Sequence, residues 1–237
     1  MTISTVGFDA DDTLWHSETH FAVTEERFAS LVSPWLSEDE AASRLLDRER
    51  ANLATFGYGV KGFTLSMIET AVEASEGTIP SAAIQNIIDW GKEMLRHPVE
   101  LLPGVTETID ALTGRYRLAL ITKGDLFHQE SKIAESGLAD RFDHIEILSE
   151  KSPAQYRAVL GRLGVEPAGF VMVGNSVRSD VLPVIEIGAQ AVHIPYGITW
   201  GHETVDRDAV EQCWHHLDRV DELPALLGEL AAGADGP

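Results

Sequence analysis

The sequence has one cysteine, Cys213, among its 237 residues. That excludes an internal disulfide and a cysteine-based metal cluster, so nothing in the chain calls for an oxidising compartment. Positive charge is scarce as well: 18 lysines and arginines stand against 38 acidic residues, a formal net charge of -20. A field of that sign repels nucleic acid and anionic lipid, and neither is expected as a partner. No apolar run approaches the roughly 20 residues of a membrane-spanning helix. The start, MTISTVGFDADD, shows no basic segment leading into an apolar stretch and a cleavage site, so the expected location is the cytoplasm. An apolar share of 44% is that of an ordinary folded protein. The length suits one large α/β domain with a smaller appendage.

Against these absences stands one concentrated feature. Residues 3–8 form a short, mainly apolar run with no helical period, which breaks at Asp9 into three carboxylates within four positions, Asp9, Asp11 and Asp12. Such a run reads as a buried strand whose carboxyl end opens into a loop. In an open α/β sheet that end faces the ligand crevice, which delivers Asp9 and Asp11 to it together. Neighbouring carboxylates repel and are costly to bury, so a divalent cation is the expected partner.

The pattern then turns helical for about eighty residues, with apolar residues at helical spacing over 20–36, 41–53, 64–75 and 81–96. Ser37 with Glu38, Asp39 and Glu40 reads as a cap and acidic first turn. Between two of these helices the stretch 55–63 interleaves three glycines with Phe56, Tyr58, Lys61 and Phe63. It is read either as a plain turn or as a loop that reads substrate, with Phe56, Tyr58, Lys61 and Phe63 as its specificity candidates. Beyond residue 97, apolar runs at 117–121, 145–148, 170–173 and 190–194 alternate with helical segments at 105–112, 126–136, 153–164 and 223–230. Strands alternating with helices predict a doubly wound parallel sheet, five strands with the first in the middle, over 1–16 and 98–237. Residues 17–97 form a smaller all-helical insertion. His215 and His216 are expected on an exposed tail.

Parallel strands put Asp9 and Asp11, Thr122, Lys151, and Asn175 with Asp180 at one edge of the sheet, so distant positions converge on one crevice. In order and type these residues resemble the four motifs of the haloacid dehalogenase-like hydrolase superfamily, whose first strand ends in Asp-x-Asp-x-Thr, here Asp9 to Thr13. Two positions depart from the family's phosphatases: Asp12 stands where many have glycine, and Asn175 where the last motif has aspartate. The resemblance implies that Asp9 is a nucleophile and Asp11 a general acid and base. It implies that Thr122, Lys123 and Lys151 bind a phosphoryl group, and that Asp9, Asp11, Asn175 and Asp180 hold Mg²⁺. The insertion is then a cap, and the expected substrate is a small phosphorylated metabolite met by a monomer or homodimer. Three alternatives stay open: a metal-free 2-haloacid dehalogenase, disfavoured by Asp11; a catalytically silent family member that only binds; and a phosphoryl mutase.

Overall fold

The computed structural model describes residues 2–205 and 213–234, so the last three residues, expected to fray, lie outside them. The chain divides into two compact units, one formed by residues 1–16 and 99–237 and the other by 17–98.

In the larger unit a six-stranded sheet is assembled in the order β3-β2-β1-β4-β5-β6, all pairs parallel. The strands are β1 (Thr5–Phe8), β2 (Arg117–Lys123), β3 (His144–Leu148), β4 (Phe170–Gly174), β5 (Gln190–His193) and β6 (His215–His216). The sixth strand corrects the expected five. Its two residues pair with Val192 and His193 and are too few to show a period. His215 is half-buried rather than part of an exposed tail.

Side chains alternate across the sheet, as strand geometry requires. Val6, Phe8, Leu118, Leu120, Val171 and Val173 pack on one face. Ala119, Ile121, Phe170 and Met172 pack on the other. Helices cover both faces. α5 (Val105–Leu112), α6 (Leu126–Glu135) and α9 (Leu223–Ala234) lie on the first. α7 (Pro153–Leu163) and α8 (Leu182–Glu186) lie on the second. These numbers follow α1 (Glu18–Val32), α2 (Glu38–Phe56), α3 (Val60–Ala74) and α4 (Ser81–Leu95), which build the other unit.

In that unit Phe28, Leu45, Phe63, Met67 and Ile87 form a separate core. Ser37 and Glu40 make the anticipated capping box at the start of α2. α3 begins earlier than its apolar period suggested, so Lys61 is an exposed residue of its first turn and Tyr58 is half-buried in the short connection before it. Phe63 is corrected from a substrate-reading candidate to a core residue, its ring 5.1 Å from that of Phe21. No helix among the described residues is long and apolar enough to cross a membrane.

Gly7, in the central strand, shows how tightly the second face is filled. A Cβ there would lie 2.5 Å from the Phe170 ring and 3.0 Å from the Met172 sulfur. Gly7→Ala is therefore expected to lower stability by about 1–3 kcal/mol, the usual cost of overpacking a filled core. Phe170→Leu should recover part of that loss in the double variant. Urea unfolding of the two single variants and the double checks this; strictly additive losses would refute the steric explanation.

Candidate active site

Polar side chains from the carboxyl ends of β1 to β4 meet at one edge of the sheet. Asp9 follows β1, and its N–H donates to the Val173 carbonyl at 2.9 Å, tying the end of β1 to β4. The Lys151 ammonium, from the segment after β3, donates to Asp9 Oδ1 at 2.5 Å and to Asp180 Oδ1 at 2.6 Å. The side chains of Lys151 and Asp180 are 1% exposed and that of Asp9 10%, so the triad is nearly dry. Burial opposes the charge on Lys151, but Asp180 and Asp9 outweigh it and hold the ammonium's pKa well above its ordinary value. Burial pushes the Asp9 carboxyl up to about 7; Lys151 pulls against this, while the charges of Asp180 and Asp11 add to it. A further cation beside Asp9 would restore its ionised form.

Thr13 joins a fourth residue to the triad. Its hydroxyl lies 3.2 Å from Asp9 Oδ2 and 3.4 Å from Asn175 Oδ1, and it accepts the Asn175 N–H at 3.1 Å. Two side-chain oxygens from β1 and β4 thus converge on one hydroxyl. Between Asp11 and Trp15 the chain turns sharply, with Asp12 at φ +62. Aspartate tolerates that left-handed conformation better than most non-glycine residues, which accounts for an aspartate at this turn.

Asp180 sits on a π-helical turn, Val177–Val181, a local widening often found at functional sites. Its Oδ2 accepts the Ser176 N–H at 3.0 Å, and Tyr156 Oη donates to the Ser179 carbonyl at 3.0 Å. Gly174 makes room for it: a Cβ at that position would fall 2.3 Å from Asp180 Cγ.

Asp11, two residues beyond Asp9, is gripped by other partners. Lys132 Nζ donates to its Oδ1 at 2.5 Å, Trp15 Nε1 to the same oxygen at 2.6 Å, and Gln129 Nε2 to Oδ2 at 3.0 Å. Burial pushes this carboxyl up, but the Lys132 ammonium and the three donors outweigh it and leave the pKa below the ordinary value. Gln129 Nε2 also donates to Thr122 Oγ1 at 2.8 Å.

The expectations for single residues fare differently in this geometry. Asp9, Lys151 and Asp180 meet directly, Asn175 joins through Thr13, and Thr122 is linked to Asp11 through Gln129. The Lys123 ammonium donates to Ser179 Oγ at 2.9 Å and pairs with Glu203. Glu203 also accepts from the hydroxyls of Ser176 and Ser179. Both oxygens of the Asp11 carboxylate are engaged by its three donors. Among the described residues no three of His, Cys, Asp and Glu are grouped to hold a metal ion. Sequence reasoning missed Gln129, Lys132 and Glu203. The first two carry the signal of one-turn spacing on the helix that follows Thr122; Glu203 lies in an irregular segment after β5, where no period operates.

Comparison with known proteins places the chain in a family. The family model described as haloacid dehalogenase-like hydrolase matches residues 3–188. A solved haloacid dehalogenase-like family hydrolase from Xanthomonas campestris is 44% identical, with a TM-score of 0.87 over 98% of this chain and 94% of that one. The glyceraldehyde 3-phosphate phosphatase of Methanothermobacter thermautotrophicus is 29% identical over 52% of this chain and 56% of its own length. The N-acylneuraminate-9-phosphatase of Mus musculus is 28% identical over 58% and 56%. The chain thus spans about half the length of these two phosphatases.

Glu203 gives a test of how the site is braced. Burial raises its carboxyl, but the Lys123 ammonium and the donors Lys123, Ser176 and Ser179 more than offset this, leaving the pKa at about 2 against an ordinary 4.5. A depressed folded value stabilises the fold above the unfolded pKa, and that stabilisation is lost as pH falls through the folded one. Glu203→Gln should cost about 1–3 kcal/mol at pH 7, the penalty for a buried polar group left unsatisfied. The gap from the parent should close as pH falls from 4.5 towards 2. Unfolding at pH 7 and in acid checks this, and a gap independent of pH would refute it.

Proposed function

Because the chain belongs to the haloacid dehalogenase-like hydrolase family, we propose that it is a phosphatase that hydrolyses small phosphomonoesters through an aspartyl-phosphate at Asp9. The observation that carries the reading is the buried triad in which Lys151 reaches both Asp9 and Asp180. It supplies a carboxylate nucleophile beside a fixed cation for a phosphoryl oxygen. The two phosphatase relatives, whose names place their substrates among phosphomonoesters, support the same class.

In this reading an Asp9 oxygen attacks phosphorus, its bond to phosphorus forming as the ester bond to the leaving oxygen breaks. Lys151 balances charge on the transferring group, and Thr122 offers it a hydroxyl. Asp11, kept ionised by its donors at rest, takes up a proton before this step, from solvent or from the monoanion of the ester, and gives it to the leaving oxygen. Its carboxylate then takes one from the water that attacks the phosphoaspartate and frees phosphate. Held by Lys132, Asp11 stands in the form that accepts a proton, ready for this second step. We also read the helical unit as the family's cap, with Tyr58 and Lys61 as its candidates for reading the substrate.

The donors present fit a small hard cation. They are all oxygen: the Asp9 carboxylate, the Asn175 amide oxygen brought near it by Thr13, the Asp11 backbone carbonyl and the Asp180 carboxylate. Mg²⁺ characteristically binds through one or two carboxylates while keeping several waters, a demand this oxygen set would meet. Asp180 is the weakest member of the set, since Lys151 and the Ser176 N–H already occupy its oxygens. When bound, the ion would neutralise phosphoryl charge and keep Asp9 ionised.

A screen of phosphorylated metabolites with Mg²⁺ or with EDTA, run beside Asp9→Asn, tests the reading. Phosphate release should require Mg²⁺ and fall by more than about 10³-fold in the variant, as expected on removal of a nucleophile. A variant as active as the parent would sink the proposal. Halide release from 2-chloropropionate in EDTA would identify a dehalogenase instead.

A further inference from the structure

We infer that Gln129 and Lys132, one turn apart on α6, are positioning residues that fix the Asp11 carboxylate where it exchanges protons with the leaving oxygen and with water. This rests on the phosphatase reading and deepens it.

Residues three apart on a helix lie on one face. The start of α6 is pinned by Asp125, whose side chain accepts the His128 N–H at 3.0 Å and whose carbonyl accepts the Gln129 N–H at 2.9 Å. From that fixed start, Lys132 holds Asp11 Oδ1 at 2.5 Å and Gln129 holds Oδ2 at 3.0 Å. Trp15, 1% exposed and bridged through its backbone to Asp11 and Leu101, closes on Oδ1 from the other side. Both carboxylate oxygens are engaged, so the group has no free rotation. An exposed ion pair would do little of this, but the Lys132 side chain is 12% exposed and Gln129 only 2%.

Gln129 carries the mark of a side chain set by its neighbours. Its Nε2 faces three acceptors, Asp11 Oδ2, Thr122 Oγ1 and the Lys123 carbonyl, while its buried Oε1 has no hydrogen-bond partner among the described residues. Native interiors rarely leave such an atom unpaired, and an instance calls for a reason. Gly124, at φ +145, leaves space for the amide: a Cβ there would lie 3.3 Å from Gln129 Nε2. The amide thus spans Asp11 and Thr122 and fixes their separation, at the expense of its own oxygen.

The chemistry that depends on this is specific. As the Asp9–phosphorus bond forms and the ester bond breaks, an alkoxide must receive the Asp11 proton, whereas a nitrophenolate departs without one. The Asp11 carboxylate then takes a proton from the attacking water in both cases. Misplacing Asp11 should slow esters of poor leaving groups selectively when the first step limits turnover.

The test compares Lys132→Met, Lys132→Arg and Gln129→Met with the parent on glycerol 2-phosphate and 4-nitrophenyl phosphate in Mg²⁺. The two methionine variants should lose at least about tenfold in kcat on glycerol 2-phosphate, less than about threefold on 4-nitrophenyl phosphate, and little in KM on either, the split expected when an interaction acts only in the transition state. Lys132→Arg should restore most of the loss. Equal losses on both esters, or none on either, would overturn the inference while leaving the phosphatase reading standing. Gln129→Met keeps the Lys132 charge, so the question is answered even if Lys132→Met does not fold. A parent that releases phosphate from neither ester would overturn both.

Discussion

The site depends on one buried ammonium shared by two buried carboxylates. Asp9 and Asp180 are delivered by adjacent strands, β1 and β4, and without a cation between them the two would repel inside a nearly dry crevice. Lys151 reaches them from the loop after β3, two strands away from β1 in the sheet order. Three crossovers are thereby locked to one point. A lysine in this position has no free choice of partner: burial alone would strip its proton, and the two acids keep it charged.

The backbone near this point is shaped to allow the contact. Gly174 ends β4 with no side chain because Asp180 folds back over it. The π-helical turn at Val177–Val181 gives the aspartate that direction, and the Ser176 N–H fixes its second oxygen. Tyr156 holds the same turn from below through the Ser179 carbonyl. On the other side of the crevice Thr13 holds the first motif to the fourth. Fold stability and site geometry are here the same set of contacts.

How much of this could be read from sequence follows from the range of each signal. β1, β2, β3 and β4 are compact apolar runs, and period and length alone locate them. Parallel connectivity then implies that Asp9, Thr122, Lys151 and Asp180 share an edge, because topology carries that information without any side-chain detail. What topology leaves open is which cation serves which acid. Lys123 and Lys151 both follow strands, yet one pairs with Glu203 and the other with Asp9 and Asp180. That choice is made by side-chain reach across segments far apart in sequence, and Glu203 lies in an irregular stretch with no pattern to announce it. Lys132 was likewise unremarkable, one polar residue on an amphipathic helix, until α6 was placed beside the first motif. β6 escaped because two residues cannot display an alternation.

The pairing of lysines also bears on how an acidic protein handles an anionic substrate. Asp9, Asp11, Asp180 and Glu203 are four largely buried carboxylates in this region, met by Lys151, Lys132 and Lys123. Each of the three ammoniums is already within hydrogen-bond distance of an acid, so its charge is largely offset before a phosphate arrives. With every group ionised the cluster carries one excess negative charge, and a phosphate monoester adds roughly 1.5 to 2 more. Burying that excess in a low-dielectric crevice is unfavourable, and the chain as a whole, at -20, offers no compensating field. Charge balance therefore asks for about two further positive charges near Asp9, the acid whose carboxyl burial has already pushed up to about 7. A divalent cation near Asp9 would supply them, and the need for one follows from the lysines being already paired with acids.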